Sequence, residues 1–152
     1  MADRTESSIN IAAAPGTILD VIADFDSYTD WAHEVKKATL ISEDGDGWAD
    51  QVEFTLSAGA IKDTYVLEYD WDVAEDGTGV VSWTLVTGQV LKAMNGSYTL
   101  EDTVLEDSGR GTAVTYRLSV EVKIPMIGIL KRKAEKVIID TALKELKKRV
   151  EV

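Results

Sequence analysis

The nucleophilic and metal-binding side chains of this sequence are few. The chain of 152 residues has no cysteine and a single histidine, His33. A zinc site or a nucleophilic cysteine with its base needs more of these groups than the chain contains. His33 follows an aromatic segment and is expected at the surface. We therefore predict no catalytic nucleophile, no metal site and no bound cofactor.

Carboxylates are plentiful, with 27 Asp and Glu residues, but most fall in predicted turns or on the polar faces of predicted strands. Asp63 and Asp102 instead share the parity of the apolar residues in their strands. Either of them is therefore a candidate buried acid or base with a raised pKa. Because parity breaks easily at the end of a strand, a surface position is the alternative for both.

Tyrosine and tryptophan are the other polar groups that a ligand would meet. Each has an apolar body and a hydrogen-bonding tip, and a mostly apolar pocket with a few such tips suits small hydrophobic ligands. In the predicted strands these residues share one parity, together with neighbouring apolar residues. The predicted inward-facing aromatic residues are Tyr65, Tyr69, Trp71, Trp83, Tyr98 and Tyr116.

The elements that would position these residues follow from periodicity. A strand over 6–12 precedes a helix that begins near Pro15 and ends near Ala23, where Pro is tolerated in the first turn. Residues 24–31 form a second short helix or turn. Its aromatic residues Phe25, Tyr28 and Trp31 either plug one end of the core or wall a ligand entrance.

From Val35 to Ile124 the apolar pattern has period two and is interrupted by glycine-bearing turns near Gly45, Gly59, Gly77, Gly88 and Gly109. Short turns between such segments predict an antiparallel meander of six strands. One face of each strand is apolar and the other polar. This is typical of a sheet that is covered on one side.

The last segment is the predicted cover of the sheet. Pro125 and Gly128 end the strand pattern, and good helix formers follow to the C-terminus. The apolar arc of this helix is wider than a surface helix needs, which indicates a helix lying in the hollow of a curved sheet. A terminal helix packed on a solid core is the alternative. The arc contains Leu130, Ala134, Val137, Thr141, Ile138, Ala142, Leu146, Ile139, Leu143 and Val150.

We predict an α+β fold in a single domain, residues 1–152, in which a seven-stranded curved antiparallel sheet surrounds a long C-terminal helix. The element order is β-α-α-β-β-β-β-β-β-α. Large aromatic residues facing small helix residues favour an open pocket over a filled core, although jigsaw packing is the alternative. The predicted ligand-binding residues are Trp31, Phe54, Tyr65, Tyr69, Trp83, Leu85, Tyr98, Tyr116, Ala134, Val137, Ile138 and Thr141.

The net charge of −11 is unevenly distributed. Residues 131–152 carry +4, and the rest of the chain carries −15. Such an acidic body would repel nucleic acid and anionic membranes, so we expect neither nucleic-acid binding nor stable membrane insertion. The absence of cysteine, of an apolar run of membrane-spanning length and of a secretory signal favours a cytoplasmic protein. We expect a monomer or weak dimer.

Several short motifs follow one another along essentially the whole chain. They are Ala14-Pro15, the segment 24–31 with Val35, Val81-Ser82-Trp83, Gly96-Ser97-Tyr98, Val114-Thr115-Tyr116 and the start of the last helix. In this order and spacing they resemble the START-like, helix-grip superfamily, also called SRPBCC or polyketide cyclase/dehydrase-like. Thr29 stands where that superfamily often has proline. These are mostly packing motifs, so they indicate the fold more than the chemistry.

The resemblance implies binding of a small hydrophobic ligand, such as a lipid, an isoprenoid or quinone, or a polyketide. We place that ligand in a cavity between the sheet and the C-terminal helix. A first alternative is a polyketide cyclase/dehydrase-like enzyme that uses tyrosine or aspartate residues of the cavity. A second is an interaction protein that docks on an anionic partner through the basic side of the last helix.

Overall fold

The structure is a computed structural model that describes residues 5–58, 61–105, 109–123 and 127–151. Gly59, Ile124 and Pro125, which were predicted to end strands, lie outside these ranges. Within them the elements are β1 (Thr5–Ile11), α1 (Pro15–Ala23), a 3-10 turn (Phe25–Ser27), α2 (Tyr28–Trp31), β2 (Val35–Glu43), β3 (Ala49–Ala58), β4 (Ile61–Val73), β5 (Gly79–Gly88), β6 (Leu91–Leu105), β7 (Gly109–Val122) and α3 (Gly128–Glu151).

The strands form one antiparallel sheet in the order β1-β7-β6-β5-β4-β3-β2. Strands β2 to β7 are a continuous meander because each pairs with the strand that follows it. β1 pairs with β7, so the first and last strands of the chain lie side by side. This curved sheet with a long C-terminal helix confirms the predicted fold class and element order.

The turn between β4 and β5 connects the sheet to the first helix. Gly77 has a φ of +92°, a conformation that side chains with a Cβ rarely adopt. A Cβ at this position would also collide with the backbone of Gly16, at the start of α1. Glycine at position 77 therefore lets the backbone of the turn pack against the backbone of the helix.

Helix α3 is 24 residues long and packs mainly on β1 and β7. Three glutamates on it accept backbone N–H groups from three other segments. Glu135 accepts from Val120 (2.7 Å), Glu145 from His33 (3.0 Å) and Glu151 from Ala12 (2.8 Å). These bonds connect the helix to β7, to the segment after α2 and to the residue that follows β1. No helix in the described part of the chain is long and apolar enough to cross a membrane.

The two edges of the sheet differ from its interior. β2 forms one edge, and its register with β3 shifts three times, next to Val35, Leu40 and Ser42. β1 forms the other edge, where side chains of α3 take up its outer polar groups. Lys147 donates to the carbonyl oxygen of Asn10 (2.8 Å), and Glu151 accepts from the N–H of Ala12 just after the strand.

Candidate ligand-binding cavity

A cavity of about 80 Å³ lies between the inner face of the sheet and α3. Strands β3 to β7 form one wall, α3 forms the opposite wall, and α2 with the start of β2 closes one side. Most of the lining is apolar. The lining residues are Tyr28, Trp31, Ala32, Glu34, Val35, Phe54, Leu56, Tyr65, Leu67, Tyr69, Trp83, Met94, Tyr98, Tyr116, Ile138, Ala142 and Glu145.

Three cross-strand aromatic pairs form the sheet side of the cavity. Residues directly opposite in an antiparallel pair bring their side chains close together on the same face. The ring centroids lie 4.7–5.8 Å apart, within the range of favourable aromatic contacts. The pairs are Phe54 with Tyr65 (5.8 Å), Tyr69 with Trp83 (5.7 Å), and Tyr98 with Tyr116 (4.7 Å).

No aromatic residue lies directly opposite Trp83 on β6, because Gly96 is the residue paired with it. A Cβ at Gly96 would lie 2.5 Å from the indole ring of Trp83. The absence of a side chain at Gly96 therefore allows the indole to lie against β6. There it contacts the rings of Tyr98 and Tyr116, each at 5.5 Å.

Eight of the twelve residues predicted to bind a ligand lie in the cavity wall: Trp31, Phe54, Tyr65, Tyr69, Trp83, Tyr98, Tyr116 and Ile138. The other four do not line it. Leu85 is half-buried and packs on the core, and Ala134 is buried outside the wall. Val137 is 46% exposed, and Thr141 lines a groove on the outer side of Trp31. The part that any of the twelve plays in binding stays a prediction.

Val137 and Thr141 do not line the cavity because the face of α3 that is buried differs from the predicted one. The prediction left Glu135 out of the apolar arc of α3, but this residue is fully buried. Its carboxylate is compensated by the hydroxyl of Thr5 (2.7 Å) and the N–H of Val120. With Glu135 on the buried side, the inward arc is rotated away from Val137 and Thr141 and toward Ile139 and Leu146.

The cavity is also smaller than an open pocket of the predicted kind. Pockets for drug-sized ligands measure about 300–1,000 Å³. Here the aromatic side chains of the sheet pack against one another and occupy most of the hollow. The segment of residues 24–31 adds to this filling: Phe25 packs on Phe54 and Tyr69, whereas Tyr28 and Trp31 lie in the cavity wall itself. Phe25 thus helps to fill the core, whereas a ligand entrance walled by Tyr28 and Trp31 stays a prediction.

Polar groups in the wall are largely without partners. Tyr28 donates to the carbonyl oxygen of Ile22, but the hydroxyls of the other four tyrosines in the wall make no hydrogen bond to a described residue. Burial raises the pKa of each of the four phenols, so they remain protonated and can donate. The four residues are Tyr65, Tyr69, Tyr98 and Tyr116.

The indole nitrogen of Trp31 is in the same situation. Trp31 is 5% exposed. Among the described residues, its indole nitrogen is the one fully buried side-chain polar atom that lacks a hydrogen-bond partner. A buried donor without an acceptor is costly, and native structures contain few of them. An acceptor on a bound molecule would remove this cost.

Two carboxylates, from Glu34 and Glu145, stand where α2 and β2 meet α3. Glu145 accepts the backbone N–H of His33 and contacts Nδ1 of its imidazole. Burial raises the pKa of Glu34, the nearby carboxylate of Glu145 adds to the rise, and Lys36 opposes it. Glu34 is thus an ionisable group in the wall, and its raised pKa favours the neutral, protonated carboxyl group.

The candidate acids Asp63 and Asp102 do not line the cavity. Asp63 is 7% exposed, and its two oxygens accept the N–H groups of three successive residues, at 2.9–3.1 Å. These residues, Gln89, Val90 and Leu91, form the turn between β5 and β6. Asp102 is exposed and lies 3.7 Å from Arg110. Asp63 is therefore a turn-stabilising group, and Asp102 is a surface residue.

Some wall residues were missed by the prediction. Leu56, Leu67 and Met94 have the same strand parity as the predicted residues, and Ala142 lies one helical turn after Ile138, so periodicity contained the signal for all four. Glu145 also has a helical signal, since it lies three residues after Ala142 and seven after Ile138, but its charged side chain kept it out of the apolar set. Glu34 gave no such signal, because its position depends on how the segment after α2 meets the helix, which is a tertiary contact.

The fold and cavity together define a helix-grip protein: a curved antiparallel sheet, a C-terminal helix across it and an apolar space between them. The chain belongs to the family described as polyketide cyclase / dehydrase and lipid transport, whose family model matches residues 2–151. Comparison with curated proteins gives no match.

Solved structures share this architecture. A START superfamily protein from Mycobacterium smegmatis is 22% identical, with a TM-score of 0.83 and 97% of each chain covered. The Zhui aromatase/cyclase from Streptomyces sp. R1128 is 15% identical, with a TM-score of 0.75, covering 99% of this chain and 94% of its own. The protein TTHA0849 from Thermus thermophilus is 21% identical, with a TM-score of 0.75 and 97% of each chain covered. At these identities the likeness establishes the fold.

Proposed function

We propose that this protein binds a small hydrophobic ligand with oxygen functions, of the lipid, isoprenoid-quinone or polyketide kind, in the cavity between sheet and α3. One observation carries the proposal: an apolar wall contains four tyrosine hydroxyls and one indole N–H that have no partner among the described residues. Apolar contact would supply the affinity, and these polar groups would orient the carbonyl or hydroxyl groups of the ligand. The family description, which includes lipid transport, agrees with this class of ligand.

The ligand would need more room than the present cavity offers. The cavity of about 80 Å³ accommodates only a small group. The contacts of His33 with Glu145 are polar and connect the segment after α2 to the helix. Movement of this segment away from α3 would break these polar contacts and would widen the cavity. Val35 and Ala142, both in the cavity wall, would then move apart.

The test combines extraction and titration. Native mass spectrometry of gently purified protein should reveal a bound small molecule. Calorimetric titration should then give saturable binding of dodecanoic acid or of a short isoprenoid quinone. Ala142→Leu, which fills the cavity from the helix, should weaken binding at least tenfold while the circular dichroism spectrum stays unchanged.

Val137→Phe is the matched control, because it enlarges a residue of the same helix that lies outside the cavity wall. It should bind as the unmodified protein does. If neither fatty acids nor quinones bind and nothing co-purifies, the proposal is wrong. If both variants bind equally well, a ligand binds elsewhere on the molecule.

Glu34 gives a specific reason to keep the cyclase/dehydrase alternative. It is a carboxyl group in the cavity wall with a raised pKa, and the protonated tyrosines around the cavity are hydrogen-bond donors. Such a set can protonate and orient a carbonyl group. Turnover of a poly-β-ketone that is lost in Glu34→Gln and retained in Asp102→Asn would favour the enzyme. Absence of turnover with normal binding would favour the carrier.

A further inference from the structure

A groove of about 550 Å³ runs along the outer side of the cavity. Trp31 and Glu145 line both spaces, so these two side chains lie between the cavity and the groove. The groove lies between α2 with the following segment and the C-terminal half of α3. A molecule that entered the cavity between α2 and α3 would therefore leave its outer end in the groove.

Three cations of α3 face the groove without an anionic partner in the described part of the chain: Lys144, Lys148 and Arg149. Elsewhere on the same helix, lysines are paired one turn apart, Lys136 with Asp140 and Lys147 with Glu151, each at 2.8 Å. Lys144 and Lys148 have the same one-turn spacing but carry like charges, which is unfavourable for a helix. This arrangement leaves positive charge available in the groove of a strongly acidic protein.

The acidic groups of the groove do not neutralise these cations directly. The carboxylate of Glu145 is engaged by the backbone and imidazole of His33. Asp30, the other acidic residue in the lining, is exposed and forms no ion pair with a described residue. At the inner limit of the groove lies Trp31, whose indole N–H is buried and has no acceptor within the described ranges.

We propose that the groove binds the anionic head, a carboxylate or a phosphate monoester, of an amphiphilic ligand whose apolar part occupies the cavity. This assignment rests on the proposed function and narrows its ligand class. Lys144, Lys148 and Arg149 supply the positive charge, and the N–H of Trp31 donates to an oxygen at the junction of head and tail. Arginine and lysine are the usual partners of such anions, and a helix C-terminus tolerates their charge.

The test compares ligands that share one tail. Dodecyl phosphate, dodecanoic acid and dodecanol are titrated calorimetrically at low ionic strength, with inorganic phosphate as a fourth probe. We expect both anionic amphiphiles to bind at least tenfold more tightly than dodecanol. Inorganic phosphate should bind at least a hundredfold more weakly than dodecyl phosphate, because it lacks the tail.

The variant Lys144→Gln/Lys148→Gln/Arg149→Gln should abolish the preference for the anions and leave dodecanol binding unchanged. Lys131→Gln/Arg132→Gln/Lys133→Gln removes the same charge at the other end of α3 and should retain the preference. Trp31→Phe should weaken binding of all three tailed probes severalfold, because each has an oxygen at the junction.

The outcomes separate the two proposals. If dodecanol binds as tightly as the anions, or if both triple variants lose the preference equally, the groove assignment is wrong and the cavity proposal stands. If inorganic phosphate binds as tightly as dodecyl phosphate, the groove is a site for a free anion and the amphiphile assignment is wrong. If no tailed probe binds, the cavity proposal fails as well.

Discussion

Polar groups lie inside the protein in two regions: the contact between α3 and the sheet edge, and the aromatic wall of the cavity. The two regions differ in whether these groups have hydrogen-bond partners. At the helix contact, the carboxylate of Glu135 is fully buried and both of its oxygens accept hydrogen bonds, from Thr5 and Val120. In the cavity wall, four tyrosine hydroxyls and the N–H of Trp31 have no described partner.

The difference separates polar groups that hold the fold from polar groups that are open to a ligand. A buried group that makes all its hydrogen bonds stabilises one arrangement of the chain. Removing it leaves its partners buried without hydrogen bonds. A group without a partner contributes nothing of this kind, and a fully buried one, such as the indole N–H of Trp31, is costly to keep. Its hydrogen-bonding capacity is therefore available to a bound molecule.

The largest expected effect concerns pH. All five tyrosines of the chain are buried with raised pKa values, and burial is the main cause for each. Above about pH 10 the unfolded chain loses phenolic protons that the folded protein retains, so stability falls as pH rises. The loss is about 1.4 kcal/mol per pH unit for each tyrosine, or about 7 kcal/mol for all five.

Urea unfolding between about pH 9 and pH 11, with absorbance of tyrosinate as the second signal, measures this effect. Tyrosinate should form only as the protein unfolds. Tyr98→Phe should reduce the slope of stability against pH by about 1.4 kcal/mol per unit. Tyrosinate absorbance near pH ~10 in a protein that is still folded would show that the wall is hydrated.

The second effect concerns the helix contact. Glu135→Ala leaves the N–H of Val120 and the hydroxyl of Thr5 without an acceptor, and should lower the free energy of unfolding by about 3 kcal/mol. Urea denaturation measures the change. Glu121→Ala, an exposed position on β7, is the control and should change stability by less than about 0.5 kcal/mol.

Equal stabilities for these two variants would mean that the buried carboxylate does not hold the helix. Glu135→Gln should fall between them, because the amide oxygen can accept the N–H of Val120 and the NH₂ group can donate to the Thr5 hydroxyl, but neither hydrogen bond is charge-assisted.

The smallest expected effect on stability tests most directly the difference between hydroxyls with and without a hydrogen-bond partner. Tyr28→Phe removes a hydroxyl that donates to Ile22, and should cost about 1 kcal/mol. Tyr98→Phe removes a hydroxyl without a described partner, and should change stability by less than about 0.5 kcal/mol at neutral pH. For ligand affinity we expect the opposite order, with a loss in Tyr98→Phe and none in Tyr28→Phe. Equal stability losses would indicate that Tyr98 is hydrogen-bonded in the folded protein.

Much of this architecture follows from local patterns. The period of two from Val35 onward placed Phe54, Tyr69 and Trp83 on one face, and the glycine-bearing turns set the meander. The glycine opposite Trp83 was also visible, as part of the Gly96-Ser97-Tyr98 motif. These features depend on backbone geometry and alternation, which the order of residues encodes directly.

The parts that were not predictable depend on contacts between distant segments. On a helical wheel Glu135 falls within the apolar arc, but a carboxylate is expected at the surface, and only the N–H of Val120 and the hydroxyl of Thr5 make its burial favourable. The link from Glu145 to His33 spans 112 positions in the chain. The size of the cavity depends on how the rings pack, which parity along a strand does not determine.

The two borders of the sheet have a consequence for self-association. Exposed strand edges with free N–H and C=O groups invite pairing with another molecule, and proteins avoid this with bulges, charges or covering elements. On β2 a register shift interrupts the ladder beside Leu40 and Ile41, which are 40% and 51% exposed. At the end of β1, Lys147 bonds the carbonyl oxygen of Asn10, and Glu151 bonds the N–H of Ala12 just after the strand. The register shifts of β2 and the helix contacts at the end of β1 thus each interrupt the edge on which a second molecule could add a strand.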